Sequence, residues 1–351
     1  MAYTTINKSS DYFNTKLWTG NAGTQTITGV GHQPDFTWVK GRNAGGESHR
    51  LTDVIRGVGY NLKTNGNSAQ FSVSNGIQSW NSDGFIIGAD DAFNKDTKNF
   101  VSWNWKANGA GSSNTAGSIN STVSVNTTSG FSIVSWTATN ANGATIGHGL
   151  GTTPAIVITK RLNSTGDWLV GGSTIDTARG GANSLLLLNS TSAMDSNSEV
   201  YQTFSSTTFQ VGVNAGSFAN GATLISYCFA EKKGYSKFGS YTGNGNADGT
   251  FVYTGFKPAF VIFKATHSST SESWLLLDTV RQPSNVNNKR LRPNTGDAED
   301  TPTANNVDLL SNGFKIRSSD NRLNGNGHTL IYMAFAEAPL VGTNGVTAKA
   351  R

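Results

Sequence analysis

At 351 residues, with 14% charged and 36% hydrophobic residues and 41 glycines, the chain is long enough for two or three domains and suits strands joined by tight turns rather than a helical enzyme. Eight Trp, nine Tyr and 18 Phe are enough to fill small β-sandwich cores, which excludes a disordered polymer. The formal charge of +5 comes from 27 Lys and Arg against 22 Asp and Glu scattered along the chain, a dispersed surface charge that argues against nucleic acid as a partner.

Residues 1–18, MAYTTINKSSDYFNTKLW, carry no apolar stretch of the kind a secretory signal needs, and residues 1–11 read as a polar extended arm. No run reaches the roughly 18–20 apolar residues of a membrane span. From Tyr12 the chain alternates short apolar runs with turn residues: LWTG, TQTITGVG, then FTWVK at 36–40, whose period of two marks a strand with at least one buried face. LTDVIRG, QFSVSNG, SDGFIIG and FVSWNWK follow. Residues 107–127 are small and polar throughout and mark a boundary. A second set follows in FSIVSWTAT, AIVITKR, DWLVGG, SLLLLN, SSTTFQVG and TLISYCFAE, and a third in FGSYTG, KPAFVIFKA, WLLLDTVR, LSNGFKIR and HTLIYMAFAEAP. The intervening KKGYSK, 232–237, is short enough to hold the second and third sets at a fixed angle. The end of the chain, from 341, reads as a mobile Gly/Thr tail.

The order of the runs is the same each time, and their markers keep their distance. Pro258 and Glu337 are 79 positions apart, Pro154 and Glu231 are 77 apart, and Pro34 and Lys106 are 72 apart. A solenoid unit is about 20–50 residues, whereas about 100 residues can bury a sandwich core of their own. The expectation is all-β, three tandem sandwich modules at 1–110, 111–235 and 236–340, the middle one divergent.

Few residues invite chemistry. Asp-x-x-Arg recurs after an apolar strand at Asp53/Arg56 and Asp278/Arg281, which reads as an ion pair closing a strand corner in each repeat, with grip on vicinal sugar hydroxyls as the functional alternative. The second module offers Asp176/Arg179 only with a different loop length. A jelly-roll glycosidase needs two facing carboxyl groups about 5–5.5 or 6.5–9.5 Å apart, and the acidic candidates Asp90, Asp91, Glu272, Asp297, Glu299 and Asp300 all lie in loop-like sequence, so no catalytic residue is assigned and a glycan hydrolase is the least favoured reading. The five His lack zinc-site spacing, lone Cys228 excludes an intrachain disulfide and a cysteine metal site, and NGNADG at 244–249 reads as a turn, so neither metal nor cofactor is expected. Trp18, Trp80 and Tyr241 lie near turns, where an exposed ring stacks on a pyranose face; they are the candidate ligand-binding residues.

PDFTWVKGR (34–42) followed by DVIRG, SDGFIIG and WNWKA, and LSNGFKIR (310–317) followed by IYMAFAEAP, resemble the repeat of tail-fibre-like proteins of marine bacteriophages, whose modules are similar to concanavalin-type jelly rolls. The resemblance covers about 1–110 and 240–340 well and the middle module loosely. It implies three concanavalin-like sandwiches in a row in a virion appendage, contacts with other virion proteins, adhesion to host-surface polysaccharide and, by analogy with fibres, a homotrimer. A purely structural head-decoration or tail-attachment protein is the alternative.

Overall fold

A computed structural model describes residues 4–267, 272–339 and 341; all but the first residue of the expected mobile tail lies outside them. The chain is all-β, with antiparallel sheets and, among the described residues, three short α-helices, at Asp91–Asn94, Ser173–Arg179 and Asn321–Asn324. The sheets come in three pairs. In the first repeat the large sheet runs, edge inward, Phe13–Thr19, Asn99–Trp105, Phe36–Gly41, Arg50–Asp53, Tyr60–Lys63 and Phe71–Ser72, and a small sheet holds Gln25–Thr28, Gly84–Ile87 and Ile77–Asn81. The third repeat keeps the same order as Ser236–Thr242, Thr329–Pro339, Phe256–Ala265 and Leu275–Asp278, with Phe251–Tyr253, Gly313–Ile316 and Val307–Leu310 as its small sheet.

The second repeat has that order too, as Phe131–Thr137, Thr223–Phe229, Ile156–Arg161, Leu169–Gly171 and Ser184–Leu187, but gains two strands in front. These are Ser112–Asn114 and Ser121–Asn126, from the small polar stretch expected to be a plain linker. The correction has a local cause: Ser and Thr here pair along the sheet, and Gly117 lies where a Cβ would meet the Thr145 carbonyl at 2.3 Å, so small residues are a packing requirement.

Each repeat has an apolar layer between its two sheets. Trp18, Val39, Phe85, Ile87, Phe93 and Phe100 form it in the first, Trp136, Val157, Phe209 and Leu224 in the second, and Phe256, Phe263, Phe314 and Tyr332 in the third. The other face of each large sheet is also buried, in a fourth cluster that all three repeats share. Phe36 and Trp38, Ile156 and Ile158, and Phe260 and Ile262 reach it from equivalent strands, and so every residue of Phe36–Gly41 is buried. At its centre Trp105, Phe229 and Phe335, the same position of each closing strand, stand 5.6 to 6.2 Å apart in an almost equilateral triangle. The three repeats therefore close into a ring about this triangle, not the row expected, because each large sheet has two apolar faces and only one is covered within its own repeat.

The N-terminal arm belongs to the same body. Ile6 is buried in the shared core and the Thr4 hydroxyl donates to the Lys233 carbonyl at 2.7 Å.

Candidate functional site

Three devices recur at the seams of the ring in one cyclic order, the lysine at all three seams, the indole donor and the Asp-x-x-Arg corner at two each. The first is a ring at the start of the fourth strand. Trp168 Nε1 of the second repeat donates to the Lys63 carbonyl of the first at 2.7 Å, and Trp274 Nε1 of the third donates to the Leu187 carbonyl of the second at 2.9 Å. The first repeat has His49 there. Its Nδ1 accepts from Trp38 Nε1 at 2.9 Å, and its far side faces the Arg292 backbone of the third repeat without a well-formed bond. Burial holds His49 well below the usual histidine range, and the nearby Lys40 charge adds to this.

The second device is a lysine at the end of each inner strand. Lys40 donates to the carbonyls of Glu47 and, across the seam, Gly296; Lys160 to Arg161 and, across it, Asn67; Lys264 to Ala265, Glu272 and, across it, Thr191. All three are fully buried and not the surface charges expected from the sequence; burial pulls each ammonium down to about 8. Two residues further on, backbone amides close the same seams, Glu299 to the Arg42 carbonyl, Gln70 to Leu162 and Met194 to Thr266.

The third device is the Asp-x-x-Arg corner. Asp53 Oδ1 accepts from the amides of Ile55 and Arg56, Oδ2 holds Arg56 Nε, and Arg56 reaches back to the Leu51 carbonyl. Asp278 and Arg281 repeat every one of these bonds with Val280 and Leu276. Each acid also accepts a hydrogen bond from the neighbouring repeat, Asp53 from the Tyr227 hydroxyl at 2.8 Å and Asp278 from Trp103 Nε1 at 3.1 Å. The pairs are buried at seams, which leaves no face for vicinal hydroxyls. In the second repeat Gly172 and Ile175 stand at the corresponding positions, and the residue corresponding to Tyr227 and Trp103 is Met333 of the third repeat; Ile175 and Met333 both lie in the shared core. Gly172 has a φ of +130° and no room for a Cβ, which would meet the Ala155 carbonyl at 2.2 Å. Asp176 accepts instead from the Ser184 amide, away from Arg179.

The rings chosen for sugar stacking are mostly interior. Trp18 is buried, donates to the Phe93 carbonyl at 3.0 Å and stacks on Phe100; Tyr241 is buried and donates to the Leu323 carbonyl at 2.7 Å. Both occupy the position of Trp136, where a strand leaves the core for a turn, so nearness to a turn misled. Trp80 is half-buried against the first repeat's core.

The six acidic candidates each have a cationic or backbone partner. Asp90 caps the helix at Asp91–Asn94, Asp91 pairs with Lys95, Glu272 with Arg322, Asp297 with Arg292 and Asp300 with Arg290. Burial pushes Glu299 up, but Arg42 and Arg281 bond to it from two repeats and hold it below its usual range. Among the described residues no group of three or more His, Cys, Asp or Glu side chains has the arrangement of a metal site. His32 and His148 bond to the Ser10 and Ser205 carbonyls in their turns, and burial lowers both.

One open cleft, about 580 Å³, lies on the second repeat where it meets Asn67 of the first. Leu169, Leu185 and Leu187 line it together with Ser164, Thr165, Asn197, Asn214 and Arg161. Nothing in the sequence flagged these residues, because the cleft exists only where three loops meet.

A single family model spans residues 8–339, nearly the whole ring. The chain belongs to the family described as a domain of unknown function, DUF7483. The family boundary encloses all three repeats as one unit, in keeping with their shared core. No curated protein and no solved structure matches the chain.

Proposed function

We propose that this chain is a non-catalytic structural protein of a bacteriophage particle, a tail-fibre or other appendage component that joins virion proteins and adheres to host-surface glycan. Its repeats are then concanavalin-like jelly rolls. The observation that carries the structural part is the fate of the charged groups: the seam lysines, Asp-x-x-Arg corners and loop acids are engaged in holding the ring together or in local ion pairs, which suits a rigid part. The virion assignment rests on the motifs of the first and third repeats. A rigid ring that presents polar loops gains adhesion when many copies act together.

Antibody labelling of purified particles encoding this chain tests the reading: decoration of the tail or fibres is the expected result, and absence from particles overturns it. Decoration of the head alone selects the purely structural alternative. Reducing ends released from host polysaccharide would overturn the non-catalytic part. The homotrimer expected by analogy with fibres is tested by solution mass, 37.1 kDa for the lone ring and three times that for a trimer.

A further inference from the structure

We propose that the cleft of the second repeat is a binding site for a neutral saccharide, an inference that rests on the adhesion reading and names where adhesion occurs.

The cleft has the two-sided chemistry a pyranose needs. Its floor is aliphatic, Leu169 and Leu185 with the half-buried Leu187, and receives C–H faces. Its rim supplies hydroxyls on Ser164 and Thr165 and carboxamide nitrogens on Asn197 and Asn214 that make no hydrogen bond among the described residues. The exposed lining is polar for the most part, with the leucines as a smaller apolar patch, so it differs from the mostly apolar pockets of drug-like ligands and suits a hydroxyl-rich one.

Charge decides the class. Arg161 lines the cleft, but Nε is engaged by Asn163 and Nη1 by the Gly216 carbonyl at 2.9 Å. Asp167, the one carboxylate of the lining, accepts from Asn189 Nδ2 at 2.8 Å. One cation and one anion share the lining, so it carries no excess charge to select a phosphate or an ammonium group. Hydroxyls are what the remaining donors and acceptors fit.

The other repeats close the same place. In the third, Glu272 pairs with Arg322 at 2.7 Å, joining the loop after the lysine strand to the loop before the closing strand. In the first, Arg50 replaces Leu169 in register, with its guanidinium 5.4 Å from the Phe71 ring centre. The second repeat has neither plug, and its loops are already fixed, Gly166 to the Asn67 carbonyl at 2.8 Å and Ser217 to Asn214 Oδ1 at 2.8 Å. A site held open in advance loses little ordering entropy on binding.

The test applies the full chain to a printed array of neutral hexose and N-acetylhexosamine oligosaccharides, with sulfated and sialylated ones as the charged arm. Thr165→Trp, at an exposed rim position, blocks the cleft without touching a seam. The expected result is retention of neutral sugars by the native chain, reduced about tenfold or more in Thr165→Trp and severalfold in Asn197→Leu, with unchanged melting temperatures. Retention of charged sugars only, no retention of neutral ones, or retention indifferent to Thr165→Trp overturns the cleft. Adsorption of the native chain to host cells, measured alongside, keeps the two readings apart: cells bound equally by native and Thr165→Trp protein leave adhesion standing without this site, and cells not bound at all remove the adhesion reading itself.

Discussion

Two seams of the ring have a polar corner and the third an apolar one, and the contrast shows what a buried charge needs. Where the neighbour offers Tyr227 or Trp103, the corner is Asp53 with Arg56 or Asp278 with Arg281. Where the neighbour offers Met333, the corner is Gly172 with Ile175. Donor, acceptor and counterion change as a set, because a buried carboxylate or guanidinium left without its partner costs several kcal/mol, about 3–5, whereas exchanging the whole set for packed apolar groups is close to neutral. The apolar seam is thus a second solution and not a damaged copy of the first.

The sharpest way to break this comparison is to remove one member of a polar set. Asp53→Ala strands Arg56, whose side chain is buried, and takes the acceptor from the Tyr227 hydroxyl, and should lower the unfolding free energy by about 3–5 kcal/mol in urea denaturation. The triple variant Asp53→Gly, Arg56→Ile, Tyr227→Met copies the apolar corner and should recover about half of that loss or more; a triple variant no better than the single one would show that the two kinds of corner are not interchangeable. In the reverse direction, Met333→Tyr brings a hydroxyl to a seam with no carboxylate and should cost about 1–3 kcal/mol by the same assay. Trp168→Phe keeps the ring but leaves the Lys63 carbonyl without its donor, an expected loss of about 1–2 kcal/mol.

The smallest effect is in the pH dependence common to all three seams. Lys40, Lys160 and Lys264 lose their protons at about 8 in the fold, against about 10.4 in an unfolded chain. Between these values the unfolded chain holds more protons, so unfolding free energy rises with pH from 8 upward. Near pH 10 the buried tyrosines, held above their usual value by burial, bring the opposite slope, and buried Cys228, pushed up in the same way, does so from about pH 8.5, so the window to measure is about pH 8 to 9.5 in a Cys228→Ala background. Lys264→Met should reduce the slope by about a third, whatever it does to the stability itself. A slope unchanged in this variant would mean that the seam lysines do not titrate there.

The sequence carried the repeat plainly, since strand order and the spacing of Pro34, Pro154 and Pro258 from the closing strands are read off by eye. It also carried a hint of closure that the alternation in FTWVK obscured. Phe36, Trp38 and Lys40 alternate with Thr37 and Val39, yet both sets are buried, Val39 against the repeat's own small sheet and Phe36 and Trp38 against its neighbours. The lysines were legible as a recurrence, VKG, TKR and FKA, but a lysine's usual place is the surface, and only coordinates show three carbonyl cages. Trp18 and Tyr241 might have been matched to Trp136 by the following threonine; the turn beyond them suggested exposure instead. The cleft had no signature at all, being made of ordinary Ser, Thr, Asn and Leu from separate loops.

The triangle of Trp105, Phe229 and Phe335 has one more consequence. Three identical subunits around such an axis must accept every substitution three times over, so a change useful on the rim is also imposed at the centre of each copy. Covalent fusion of the three copies lifts that constraint. One lobe can drop a charged plug and open a groove while its two siblings go on bracing the hub, and specialisation then needs no loss of symmetry where symmetry holds the body together.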